Sequence, residues 1–360
     1  MSNPLLTSSA LPLFDAIRPE HVAPAMEALL TQANAALERV TRPDFPAQWD
    51  AISRELDCAT EALSVAWGAV NHLNSVADTP ELRTAYNEAL PVVTEFTTRL
   101  GADERLYAKY KAIDVASLNS EQRQAHKNAI RNFVLGGAEL VGDQRQRFAQ
   151  IQEQLAALGQ KFSENTLDAT DAFAYLASEE EIKGIPPDVL QTARAAAQRD
   201  GAQGYKLTLK MPCYLPVMQY ADSSHVRETM YRAFVTRASD QADLSSRKYD
   251  NAGLSLATKM ADSPDTVIRF LRDLSAKARS YAQQDIADMT AFAREHLGIQ
   301  EPQAWDWPYI GEKLKQARYA FSEQETKQYF TLPNVLSGLF KIVETLFDVQ
   351  ISRDQAAVWH

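Results

Sequence analysis

The sequence predicts a mainly α-helical protein, a multi-helix bundle array with one short β-hairpin. Apolar residues recur at three- and four-residue spacing in almost every periodic segment, which is the repeat of a helix with one buried face. Period two stands out only in residues 205–220. There Tyr205, Leu207 and Leu209 alternate with Lys206, Thr208 and Lys210, and 217–220 forms a second short apolar run. Pro212 and Pro216 forbid a continuous central strand. The stretch therefore reads as a hairpin feeding an amphipathic helix, with Asp222 as its cap and Val226, Met230, Ala233 and Phe234 on its apolar face.

The other elements follow in order. After an extended leader over 4–14, Pro19 suits the first turn of a helix reaching about 40, with Val22, Met26, Leu29, Leu30 and Leu37 apolar. A second helix, about 47–76, aligns Trp49, Ile52, Leu56, Ala59, Leu63 and Trp67. Thr79 caps a third with Pro80 at its first position, running to about 113 with a kink at Pro91. A fourth follows Asn119 and ends at Gly136-Gly137. The fifth, about 144–173, spaces Phe148, Ile151, Leu155, Leu158 and Phe162 as a seam packed along its length. Long helices with short connections describe an antiparallel bundle over 1–178.

A second region, 179–360, opens with Glu179-Glu180-Glu181, a solvated helix end in preference to a cation site. An Ala-rich helix over 189–199 precedes the hairpin. From 239 to 262 no period is sustained. Ser263-Pro264 then starts a long helix to His296. Trp305, Trp307 and Tyr309 form an aromatic corner, and helices over about 311–319 and 334–347 complete the pattern.

Composition excludes some functions. With 37 basic and 47 acidic residues the net charge is -10, so nucleic acid is not an expected partner. No apolar run approaches the roughly 20 residues of a membrane span, and there is no basic leader, so no membrane partner and a cytoplasmic location are expected. Cys58 and Cys213 lack CxxC spacing and are expected as small buried residues, not a disulfide.

Motifs for chemistry are missing. The residues after the six histidines are Val22, Leu73, Lys127, Val226 and Leu297, and His360 comes last, so no H-E-x-x-H exists. His126 and His225 have no second ligand at helical spacing, and Glu295 with His296 offers only two. His72 reads as a hydrogen-bonded structural histidine. G-x-S-x-G and GxGxxG are absent, and the i, i+3 pair Asp168 and Asp171 is too common a spacing to carry a claim. The expected catalytic, cofactor-binding and metal residues are none.

Several unusual strings nonetheless occur together: 71–76 (NHLNSV), 161–170 (KFSENTLDAT), 211–220, 227–234 (RETMYRAF), 254–260 (LSLATKM), Trp305-Asp306 and Glu312-Lys313. In these the chain resembles the oligopeptidase A branch of the thimet oligopeptidase and neurolysin family of zinc metallopeptidases. The resemblance spans the whole chain but not the whole family protein, and implies that a helix-sized segment is missing at Asn251/Ala252. It implies a helical N-terminal wall of a channel above a zinc ion, with short peptides as substrate. The zinc belongs to the full-length family, and a separate catalytic half is the implied partner. Ile310 stands where a second tyrosine is common and Thr331 where proline is usual. Two alternatives stay open: a non-catalytic helical peptide-binding or interaction module, and a gene fragment.

Overall fold

The computed structural model describes residues 3–7, 11–239, 251–320 and 323–355. Its helices are α1 (Val22–Val40), α2 (Trp49–Ile52), α3 (Cys58–Val76), α4 (Pro80–Gly101), α5 (Glu104–Lys111), α6 (Ser120–Leu135), α7 (Asp143–Ala172), α8 (Pro187–Arg199), α9 (Met211–Tyr220), α10 (Ser224–Val235), α11 (Asn251–Leu256), α12 (Pro264–His296), α13 (Trp307–Tyr319), α14 (Glu323–Lys327) and α15 (Leu332–Phe347). Strands β1 (Tyr175–Ala177) and β2 (Tyr205–Leu207) form a two-stranded antiparallel sheet. The mainly α fold with one small antiparallel ribbon is as the sequence predicts. Among the described residues no helix is long and apolar enough to cross a membrane. The chain divides into two compact units, which part within α7 at Lys161/Phe162.

In the first unit α1 is the central element. Its N-terminal half packs Val22, Met26, Leu29 and Leu30 against Leu63, Val70 and Leu73 of α3 and Leu82, Tyr86, Val93 and Phe96 of α4. Its C-terminal half packs Leu37 and Val40 against Ile52, Leu56, Leu106, Tyr110 and Phe133. The caps are those the sequence shows: Thr79 accepts from the Leu82 amide, and Asn119 and Gln122 form a reciprocal capping box. The helix expected over 47–76 is instead interrupted by a π-turn at Ser53–Asp57. The third helix stops at Gly101, where Asp103 caps the separate α5. Cys58 is exposed, against expectation, because it opens α3 on its outer side.

The second unit holds the correction to the hairpin. β2 pairs with β1, with Tyr175 opposite Leu207 and Ala177 opposite Tyr205, while 211–220 is a helix. Pro212 sits in the first turn of α9, where a missing N–H costs nothing, and Pro216 removes one further bond without ending the helix. The helix after it is capped by Ser223, not Asp222: the Ser223 hydroxyl accepts from the Val226 amide. Ala177, Leu207, Leu209, Val217, Met218, Val226 and Met230 share one core. The expected helices over 311–319 and 334–347 start earlier, at Trp307 and Leu332, because Pro308 and Pro333 occupy their first turns. Part of the unpatterned 239–262 stretch is the short α11, and 240–250 lies outside the described residues.

Gly184 marks the closest backbone approach in this unit. Its φ is +86°, and a Cβ there would lie 2.2 Å from the Tyr220 carbonyl oxygen. Gly184→Ala is expected to lose about 2 kcal/mol or more, since it combines left-handed strain with a backbone clash. Urea unfolding of the two proteins measures it, and an unchanged midpoint would contradict this packing.

Candidate functional site

The buried polar centre of the second unit joins α10 to the start of α13. Arg227 is 1% exposed, and its Nη2 donates to Asp306 Oδ1 at 2.6 Å, the Asp306 side chain being 4% exposed. The same guanidinium donates through Nη1 to the carbonyls of Ala221 (2.6 Å) and Asp222 (3.1 Å), where α9 turns into α10. The Tyr309 ring lies 4.2 Å from its central carbon. Asp306 also accepts from the Gln303 amide, at 3.0 Å. It precedes α13 without capping it by a side-chain bond, because its carboxylate is committed to Arg227. Asp222 accepts from Tyr309 Oη at 2.9 Å, and Lys313 Nζ lies 3.4 Å away. Buried Glu312 accepts from Tyr220 Oη (3.3 Å), Gln316 (3.0 Å) and Lys315 (2.6 Å). Burial, followed by the bond to Asp222, pushes the Tyr309 phenol up to about 12.

Beside this centre lies a cleft of about 560 Å³, formed by the end of α7, α8, β2 and the start of α9. Ala193, Ala196, Pro212 and Cys213 provide apolar lining, and Asp171, Asp188, Arg199, Lys206 and Lys210 are its charged groups. Lys210 pairs with Asp171 at 3.1 Å, Lys206 with Asp200, and Asp188 with Lys327 at 3.1 Å. Burial works to raise the Asp188 carboxyl, but Lys327 outweighs it and the group titrates below its usual range. Burial raises the Cys213 thiol above its ordinary value. A second cleft, of about 470 Å³ in the first unit, is lined by Arg99, Arg105, Arg145 and Phe148, and its three guanidinium groups are already paired to carboxylates.

The histidines are dispersed. His21 accepts from the Arg18 amide through Nδ1, His72 packs beside Phe14, and buried His126 bonds the Tyr110 carbonyl at 2.8 Å. His225 lies against Tyr175 and His296 against Phe292, while His360 lies outside the described residues. Among the described residues no group of three or more His, Cys, Asp or Glu is placed to hold a metal ion. The acidic run secures the ribbon: Glu181 accepts from Tyr175 Oη and from the Ser178 amide and hydroxyl, and Glu179 takes Arg194 and Tyr205. Asp171 reaches the cleft, and Asp168 is not among the cleft's lining residues. Trp305 forms the expected packed corner, donating to Ser224 Oγ at 3.3 Å under the Arg232 guanidinium.

Three helices leave apolar faces bare. The α7 seam is not packed along its length: Ile151, Leu155 and Phe162 are exposed and Leu158 is 68% exposed. On α12, Phe270, Leu271, Leu274, Tyr281 and Ile286 are exposed. No residue of α15 is buried, and its stripe runs from Leu332 through Leu336, Leu339 and Phe340 to Phe347, which is 70% exposed. Tyr309 and Ile310 at the start of α13, by contrast, are buried.

Comparison with known proteins gives a consistent result. Residues 26–145 match the N-terminal domain of neurolysin and thimet oligopeptidase, and 217–360 match peptidase family M3. The chain is 39% identical to oligopeptidase A of Salmonella typhimurium and 38% identical to that of Escherichia coli, each match covering 100% of this chain and 57% of the relative. It is 36% identical to a probable cytosolic oligopeptidase A of Arabidopsis thaliana, covering 56% of it. The chain thus spans little more than half the length of these relatives. The bacterial matches run over 389 positions against 360 residues here, leaving 29 positions without a counterpart in this chain.

Removing one member of a buried ion pair leaves the other desolvated and unpaired. Asp306→Leu or Arg227→Leu is each expected to cost about 3–5 kcal/mol, and the double variant less than the sum. A double-mutant cycle by urea unfolding checks this, and additive losses would contradict the coupling. Alkali tests Tyr309. Its pKa is raised in the fold, so its contribution is whole below pH 10, the ordinary value, and is lost as pH rises through about 12. Tyr309→Phe should therefore lose less stability than the parent between pH 10 and 12; parallel curves would show the phenol is not so held.

Proposed function

Because the chain belongs to peptidase family M3, we propose that it forms the N-terminal, substrate-channel part of an oligopeptidase A-like zinc metallopeptidase that hydrolyses short peptides, and that alone it does not catalyse that reaction. The family's zinc requires a pair of histidines one helical turn apart with a glutamate between them, and no histidine here precedes a glutamate. The described histidines bond backbone or pack on aromatic rings singly, so the residues present do not fit the ion. The zinc and the general base belong to a catalytic half supplied by the rest of the family's length.

The observation that carries this reading is α15. Sixteen residues form an amphipathic helix whose apolar stripe is wholly exposed, a pattern that calls for a partner surface. In this reading residues 1–178 are the helical bundle and 179–360 the region leading to the catalytic half. The missing helix-sized segment falls at Asn251/Ala252, the location is cytoplasmic, and neither nucleic acid nor membrane is a partner.

Metal analysis and a quenched-peptide assay test it. The purified chain should carry no stoichiometric zinc and show no chelator-sensitive cleavage, and it should bind a hydrophobic dye that Leu339→Glu with Phe340→Ser releases. Zinc near one equivalent with chelator-sensitive turnover would overturn the division of labour. A strict monomer that binds no dye would favour a self-sufficient peptide-binding module instead.

A further inference from the structure

The cleft beside α8 has one charge left over. Three cations line it, Arg199, Lys206 and Lys210, against two carboxylates, Asp171 and Asp188; Asp200 and Lys327, outside the lining, pair with Lys206 and Asp188 and leave the balance unchanged. Each carboxylate is taken by a lysine. The Arg199 side chain makes no hydrogen bond or ion pair among the described residues, although it lines the cleft at the last turn of α8. A locally positive cleft on a chain of net charge -10 attracts anions against the protein's overall field.

We propose that this cleft binds a small monoanionic carboxylate carrying an apolar body, with Arg199 as the residue that takes the carboxylate. A guanidinium presents paired donors that match a carboxylate in two parallel hydrogen bonds. One uncompensated cation matches a single negative charge better than a phosphate dianion. Ala193, Ala196, Pro212 and Cys213 provide an apolar surface for a methyl or short side chain, and a volume of about 560 Å³ lies within the range of small-ligand pockets. The free C-terminus of a short peptide and a free short-chain acid share this chemistry. The site needs nothing from a catalytic half, so it stands or falls separately from the peptidase reading.

Titration calorimetry on the full chain, with N-acetyl-Ala-Ala, its C-terminal amide, hexanoate and inorganic phosphate, decides it. The free acid should bind and the amide should not. Arg199→Ala should weaken binding on the order of tenfold or more, the scale of a lost charged hydrogen bond. Arg199→Lys should fall between, keeping the charge and losing the fork. Because Arg199 is unpaired and exposed, neither variant should change the circular dichroism. Bound ligand should also slow alkylation of Cys213, which lines the cleft, and leave exposed Cys58 unaffected. Peptide acid binding well above hexanoate assigns the site to peptide C-termini, and equal binding assigns it to carboxylic acids in general. No binding by either acid, equal binding of the amide, an unaffected Arg199→Ala variant, tighter phosphate, or unprotected Cys213 would each overturn the proposal.

Discussion

The Arg227–Asp306 pair is the constraint on which the second unit rests. Taking two charges out of water costs several kcal/mol per ion, and the 2.6 Å contact offsets that only if the remaining donors and acceptors are also satisfied. They nearly are. Arg227 holds the two carbonyls that end α9, lies against Tyr309, and leaves only Nε without a partner among the described residues. Asp306 meanwhile fixes the entry to α13 through the Gln303 amide. One guanidinium thus sets the angle between α9 and α10 and their position against α13. The other end of α9 contributes Pro212 and Cys213 to the cleft.

The bare helices show the opposite balance. Ser263, Pro264 and Asp265 start α12, and good local signals carry it for 33 residues, yet Phe270, Leu274 and Tyr281 remain in solvent. Helix formation needs only caps, propensity and length, whereas burial needs a second surface. The first unit satisfies both, because α1 lies between α3 and α4. For α15 only the first condition is met within the described residues.

Legibility followed the range of the interactions. Thr79-Pro80, the Asn119 capping box and Ser263-Pro264 are local, and each helix starts where those residues stand. The alternation at Tyr205 revealed a strand but not its partner, because Tyr175–Ala177 is too short to show a period of its own. The prolines of α9 were misread because Pro212 lies in a first helical turn, where proline suits a helix as well as it breaks a strand. Arg227 and Asp306 are 79 positions apart, and nothing in local spacing could pair them. The cleft was invisible for the same reason, as it assembles α7, α8, β2 and α9 from separate stretches.

The strings that carried the family resemblance divide by what they do in the structure. Arg227 and Asp306 form the buried pair, Glu312 is buried against Tyr220 and Lys315, and Lys313 reaches Asp222, so these residues tie α9 and α10 to α13. Asn71 accepts from Tyr86 Oη, and Thr170 accepts from Arg237, so those strings too hold elements together. Leu254 and Met260 do neither: both are exposed. Their apolar surface is left to solvent among the described residues, as is that of α15.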